Sequence, residues 1–168
     1  MLFHMSTLYT VLIDIAVWFA IHMVVSYLMT RQPRYSFNPG SWLHRERGWE
    51  GKGSLYYRWL KVGRWKHVLP DGAALFESGF KKKHLQENTE GYFQNFRQET
   101  CRAELTHWIV LLAGLIFFIW NIWWVGIIMI LYAFSVNMPC IITQRYNRIR
   151  LNRVIAKMQD LHNVTVSS

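Results

Sequence analysis

Negative charge is scarce in this chain: ten Asp and Glu stand against nineteen Lys and Arg, for a net charge of +9 over 168 residues. Charge of either sign makes up only 17% of the sequence, while 52% is hydrophobic and 16% aromatic, with nine Trp. The length suits one domain. So little charge beside so much apolar content is unusual for a soluble globule and common in a small membrane protein with basic loops. A nucleic-acid binder shares the positive charge but not the long apolar runs, so nucleic acid is not expected as a partner. Cysteine is nearly absent as well. Cys101 and Cys140 stand alone, without a CxxC or metal-ligand spacing, which argues against a disulfide framework and against a zinc site. No internal repeat and no low-complexity tract is present.

What remains is dominated by three stretches that are apolar enough to cross a bilayer, each needing roughly 20 residues. "LYTVLIDIAVWFAIHMVVSYLM", residues 8–29, lacks the basic start and the A-x-A site of a cleaved signal peptide, so it reads as an uncleaved anchor. The run from Trp108 to Ile142 would extend about 52 Å as one helix, against a core of ~30 Å. Two helices folded at "WNIWW", where Asn121 interrupts the run and Trp residues suit the interface, fit better. Lys and Arg are absent from residues 1–30 and from the hairpin tip; fourteen fall between residues 31 and 102 and five between 145 and 157. The positive-inside rule then puts the N-terminus outside and the basic segments in the cytoplasm, as in a multi-pass plasma-membrane protein.

The expected architecture is a single all-α membrane domain, 1–168. It has an anchor helix at 8–29, a hairpin of transmembrane helices at 104–120 and 123–143, and a cytoplasmic tail at 145–168. The cytoplasmic, interfacial segment 31–100 should form short helices and loops, punctuated by Gly40, Gly48, Gly51, Gly53, Gly63, Gly72 and Gly79 and by Pro33, Pro39 and Pro70. Within it "SLYYRWLKVGRWKHVL" alternates aromatics and cations at near-helical spacing, the pattern of a helix lying in the interface. The terminal "VTVSS" should fray, and its "NVT" sequon has no use in a cytoplasmic tail.

Ionisable groups inside apolar helices are costly unless paired or working. Asp14 and His22 lie two turns apart on one face of the first helix. They either line a functional polar seam or merely bond a neighbouring helix. "ETCRAELTHW", residues 99–108, places Glu104 and His107 three apart on one face, and a carboxylate there can fix a histidine's tautomer and raise its basicity. Glu99 and Arg102 repeat that spacing one turn earlier, so a plain charged helix start reads equally from the same residues. The second ExxH and the further carboxylates of a di-iron bundle are missing, and no metal is expected.

"NMPCIITQRYNRIR", residues 137–150, closes the third helix. Folding the hairpin about residues 121–124 brings His107 level with Asn137 to Pro139, and Arg102 and Glu104 level with Ile141 to Thr143. Pro139 frees a carbonyl near Ser135, for which Asn137 is a candidate partner. A basic stop after the last span would account for the arginines, but not for the hydrogen-bonding shape that Gln144, Tyr146 and Asn147 add.

Together "RWKHVLPDG", "KKHL", "ETCRAELTHW" and "NMPCIITQRYNRIR" resemble, in order, the glycosyl-4,4'-diaponeurosporenoate acyltransferases, small membrane enzymes of staphyloxanthin-type carotenoid synthesis. The resemblance runs from about Asn38 to Arg153, and the first helix is similar only in hydrophobicity. It implies transfer of a fatty acyl group, with acyl-CoA as co-substrate and no further cofactor, to a sugar hydroxyl, glucose C6, of a glycosylated C30 carotenoid or similar glycolipid. Membrane lipids and other enzymes of the pathway are the further partners it implies. Such transfer needs a base for the hydroxyl and donors for the oxyanion. The assignment that follows makes His107 the base, oriented by Glu104. Arg102, Gln144, Arg145, Asn147 and Arg148 stabilise the oxyanion or bind donor phosphates; Trp65, Lys66, His67 and Asn137 position substrate.

An acyl-enzyme on Cys101 or Cys140 would need a nearby base. His67 with Asp71 is one residue shorter than the His-x4-Asp motif of glycerolipid acyltransferases. Pro70 interrupts its register, and Asp71-Gly72 suits a turn. Another lipid-modifying membrane enzyme and a non-catalytic pathway scaffold remain the alternatives.

Overall fold

The computed structural model describes residues 6–69 and 89–167 and, among these, is wholly helical and turn, with no strand. Three helices are long and apolar enough to cross a membrane. Helix α1 spans Thr7–Arg31, α3 spans Glu90–Ala113 and continues as a 3-10 segment over Gly114–Ile119, and α4 spans Trp123–Ser167. A four-residue helix, α2, Val62–Trp65, lies between α1 and α3. The turn at Trp120 to Ile122 folds α4 back along α3, and this hairpin is the principal packing in the molecule, with α1 laid against α3.

The hairpin is longer than its apolar part. Helix α3 begins at Glu90 rather than near 104, because Thr89 caps it: its hydroxyl accepts from the Tyr92 N–H at 3.3 Å. Helix α4 continues without a break past residue 143, so the expected tail, with its frayed end, is helical through Ser167. Neither Gly nor a second Pro interrupts it there. Its buried Leu151 and Ile155 pack on Phe93 and Phe96 of α3, which is apolar burial enough to hold a helix outside lipid. Gln159 to Glu90 at 2.7 Å and Arg97 to Asn152 at 3.4 Å add polar rungs.

Within the apolar half, Trp18, Val110, Phe117 and Ala133 form one core cluster. Gly114 permits the approach of α3 to α4: a Cβ there would lie 3.3 Å from Ala133 Cβ and from Ile130 Cδ1. Asp14 of α1 is buried, and its Oδ1 accepts from Trp120 Nε1 at 2.8 Å and from Asn121 Nδ2 at 2.9 Å. Of the two readings of this carboxylate, the structure supplies the bond to a neighbouring element. His22 packs edge-on against Trp18. Leu8, Leu12, Ile15, Phe19, Ile128 and Leu131 face outward, as lipid-facing residues do.

Between α1 and α2 the chain forms short turns, including 3-10 turns at Arg34–Ser36 and Gly48–Gly53. "SLYYRWLKVGRWKHVL" is not one interfacial helix: a π-turn at Leu55–Trp59, α2 and a 3-10 turn at Lys66–Val68 replace it. The break is Lys61, which caps α2 in the left-handed region at φ 48°. Tyr56 and Val62 both pack on Tyr146 and Ile149 of α4. In a continuous helix, residues six apart would diverge by about 120°. Breaking the helix turns both inward.

Candidate active site

Where the apolar half of the hairpin gives way to the polar half, α3, α4 and the loop after α1 enclose a group of ionised side chains. Glu50 comes from the loop, Glu104 from α3, Arg145 and Arg148 from α4. Both carboxylates are fully buried. Arg145 holds Glu50 with two nitrogens, Nε to Oε1 at 2.9 Å and Nη2 to Oε2 at 3.2 Å, and reaches Glu104 Oε1 through Nη1 at 3.0 Å. Arg148 Nη2 forms an ion pair of 2.5 Å with Glu104 Oε2, which has no aligned hydrogen bond of its own. Trp108 Nε1 donates to Glu104 Oε1 at 3.4 Å. Two carboxylates against two guanidiniums leave the cluster neutral, which burial requires.

The loop wraps these arginines with its backbone. The carbonyls of Leu43 and Arg45 accept from Arg145 at 3.0 and 3.3 Å, and that of His44 accepts from Arg148 Nε at 2.9 Å. Glu50 closes its own turn by accepting from the Arg47 N–H at 2.5 Å, and it accepts the Tyr56 hydroxyl at 2.5 Å. Burial alone would push the Glu50 carboxyl up, but bonds from Arg145, Tyr56 and the Arg47 N–H hold it below the usual carboxylate range. Burial and the facing Glu50 carboxylate drive the Tyr56 phenol well above its ordinary value.

His44, also buried, has Nδ1 2.9 Å from Ser41 Oγ and 3.3 Å from the Asn38 carbonyl. Its imidazole is pushed down, by burial first and by Arg148 next. Glu50, Tyr56 and His44 escape a sequence reading because they come from aperiodic turns. The available signal was that Glu46 and Glu50 are the only acidic residues among nine cations between residues 31 and 69.

His107 lies on α3 one turn nearer the membrane, and its Nδ1 is 2.9 Å from Asn137 Oδ1 on α4. This is the level at which folding the hairpin about residues 121–124 places it. Asn137 is fully buried and spends its amide on the Ala133 carbonyl, Nδ2 to O at 2.8 Å, rather than on the Ser135 carbonyl freed by Pro139. With Nδ2 committed as a donor, Oδ1 is the acceptor facing the ring. An N–H on Nδ1 is what this acceptor fits, and in the neutral imidazole with that tautomer Nε2 carries the lone pair. His107 is thus bonded to Asn137 on the neighbouring helix, while the oxygens of Glu104 receive the two arginines and Trp108.

The remaining expected residues are dispersed. Arg102 is buried and bound to Glu99, one turn back along α3. Gln144 is half-buried on α4, and Asn147 Oδ1 accepts from Lys66 Nζ at 3.1 Å. Lys66 also lies 5.2 Å over the Tyr146 ring, and its ammonium is lowered by burial and by Arg150. Trp65 donates to the Leu60 carbonyl at 2.9 Å, and His67 is exposed. Pro70, Asp71 and "KKKH" fall outside the described residues.

A family model described as Glycosyl-4,4'-diaponeurosporenoate acyltransferase matches residues 39–157, which takes in the ion cluster, His107 and Asn137. The chain belongs to this family. A protein named Glycosyl-4,4'-diaponeurosporenoate acyltransferase from Staphylococcus aureus strain N315 is 33% identical over 138 residues, covering 82% of this chain and 83% of the relative. Proteins of the same name from strains USA300 and Newman are each 34% identical over 140 residues, with the same coverage. No solved structure matches the chain. The span of the family model begins after helix α1.

Proposed function

We propose that this protein transfers a fatty acyl group from acyl-CoA to the glucose C6 hydroxyl of a glycosylated C30 carotenoid or similar glycolipid, at the cytoplasmic face of the plasma membrane. Family membership supplies the reaction class. The observation that supports the chemistry is the His107–Asn137 pair, in which the accepting Oδ1 of Asn137 faces His107 Nδ1, an arrangement that suits a histidine with its proton on Nδ1 and Nε2 turned to substrate. The acceptor hydroxyl gives its proton to His107 Nε2 while its oxygen attacks the thioester carbon. The carbonyl oxygen becomes an oxyanion, for which Gln144 and Arg148 are the donor candidates. Arg148 offers a buried Nη1 that makes no hydrogen bond among the described residues. Collapse expels the CoA thiolate, which takes the proton from the imidazolium and leaves as the thiol. The products are the sugar ester and CoA, and the base is regenerated.

Placing the acceptor sugar on the basic side follows from the Lys and Arg distribution and from a water-soluble, polyanionic donor. Arg102, Arg145 and Arg148 each hold a carboxylate, but Arg148 alone among them keeps a buried nitrogen without a hydrogen bond among the described residues, so Arg102 and Arg145 act here through the protein rather than on substrate. The test is acyl transfer by the purified protein in detergent with acyl-CoA and a glycosylated C30 carotenoid. Ester formation with stoichiometric release of CoA is expected. Cells lacking the protein should accumulate the unacylated glycoside, and an unchanged pigment and lipid extract would point to a scaffold instead.

A further inference from the structure

On the face of α4 turned about half a helical turn from Asn137, a cavity of about 340 Å³ opens between α4 and the turn Gly48–Gly53. Three cations line it: Lys52 from the turn, and Arg150 and Arg153 one helical turn apart on α4. Among the described residues no carboxylate lines it and no ion pair joins any of the three. That sets them apart from Arg102, Arg145 and Arg148, each of which already holds a glutamate.

The wall bearing Lys52 is built under strain. Lys52 has φ 53° between Gly51 at 54° and Gly53 at 87°, a left-handed conformation that a side chain-bearing residue rarely adopts. Gly53 is pressed so closely on α4 that a Cβ would lie 3.1 Å from Ile149 Cγ2 and 3.5 Å from Arg153 Nη2. The turn is therefore fixed against the helix that carries the two arginines. Tyr57 and Tyr146 complete the lining, and the Arg150 guanidinium lies 5.7 Å over the Tyr146 ring.

We propose that this cavity is a binding site for a ligand bearing phosphate groups. Converging guanidiniums and an ammonium form charge-assisted bonds to phosphate oxygens. The volume lies in the range of small-molecule sites and exceeds what one phosphate fills. Two sources offer this chemistry: the nucleotide end of coenzyme A, with three phosphates and a base to stack on tyrosine, and the headgroup of an anionic phospholipid.

The test uses the full chain in phosphatidylcholine nanodiscs, titrated with coenzyme A and with inorganic pyrophosphate. Arg150→Gln/Arg153→Gln and Lys52→Gln are compared with the parent protein, and helicity is checked by circular dichroism. Saturable coenzyme A binding that pyrophosphate displaces, and that weakens about 10-fold or more in each variant, supports the site with a nucleotide ligand. Absence of coenzyme A binding, with fluorescent phosphatidylglycerol enriched around the parent protein but not the variants, supports it with a headgroup ligand. Binding of both probes unchanged by the variants, or of neither to the parent protein, overturns the proposal. Turnover enters none of these readings, so they stand apart from the fate of the acyl-transfer assignment.

Discussion

At the scale of single residues, the pairing of charges decides which groups are available for chemistry. If His107 Nε2 takes the hydroxyl proton, His107→Gln should leave the protein folded and lower turnover by roughly 10²–10⁴-fold, the usual worth of a general base. Asn137→Asp keeps an acceptor for the ring N–H and should retain more activity than Asn137→Leu, which removes it; initial rates normalised to protein decide the order. Glu104→Gln belongs to a different category. It leaves Arg145 and Arg148 buried with one carboxylate fewer, and breaking a buried pair in this way costs about 3–5 kcal/mol. Its first effect should be a lower unfolding temperature in detergent, followed through tryptophan fluorescence, rather than a change in pH–rate profile. The spacing of Glu104 and His107 in "ELTH" is legible in the sequence, but the competition for Glu104 is not. It depends on Arg145 and Arg148 reaching across from another helix, and a guanidinium outcompetes an imidazole for a buried carboxylate.

The same cluster sets a pH dependence. Glu50 ionises more readily folded than unfolded, so its stabilisation is present above the usual carboxylate range and is lost as pH falls through the lowered value. His44 is held neutral by burial, so the unfolded chain binds its proton at higher pH than the folded one, and acid again destabilises. Both act in one direction. Unfolding temperature should begin to fall as pH drops below about 6.5, the ordinary histidine value, and fall further in the carboxylate range. His44→Gln should remove the first stage and Glu50→Gln the second. A flat profile in the parent protein between pH 7 and 5 would show that His44 is not buried neutral.

At the scale of elements, apolar runs announced α1 and the hairpin, and the fold at "WNIWW" set the register well enough to bring His107 level with Asn137. What escaped was continuity. Hydropathy changes at residue 143 and suggests a helix end there, yet helix formation depends on a buried stripe, and Leu151 and Ile155 supply one against Phe93 and Phe96. Leu151→Ala/Ile155→Ala should cost about 2–5 kcal/mol per side chain and raise hydrogen exchange across residues 145–160 while leaving residues 125–140 protected. The turns between α1 and α2 were legible only as glycine-rich irregularity. Their conformation is dictated by what they must present to α4: Glu50 to Arg145, and Tyr56 to Tyr146.

At the scale of the whole molecule, the one-sided Lys and Arg distribution predicts an orientation with the N-terminus outside. In a cysteine-free background, Trp123→Cys should react with an impermeant reagent from outside intact cells, and Ser54→Cys only after permeabilisation. Both positions are exposed in the fold. Reaction of position 54 in intact cells would reverse the topology and remove acyl-CoA as the donor.

The bond between Asp14 and the hairpin tip also bears on how the protein is made. Its partners, Trp120 and Asn121, lie 106 and 107 residues later in the chain. At a synthesis rate of roughly 5–20 residues per second, the anchor helix waits on the order of 5–20 s before the donors to its acidic group are made. Only when the hairpin tip arrives does that carboxylate find a donor. The first helix is therefore a provisional insertion until the second half of the chain completes it. A polypeptide halted before residue 120 would leave the Asp14 carboxylate without either of these donors.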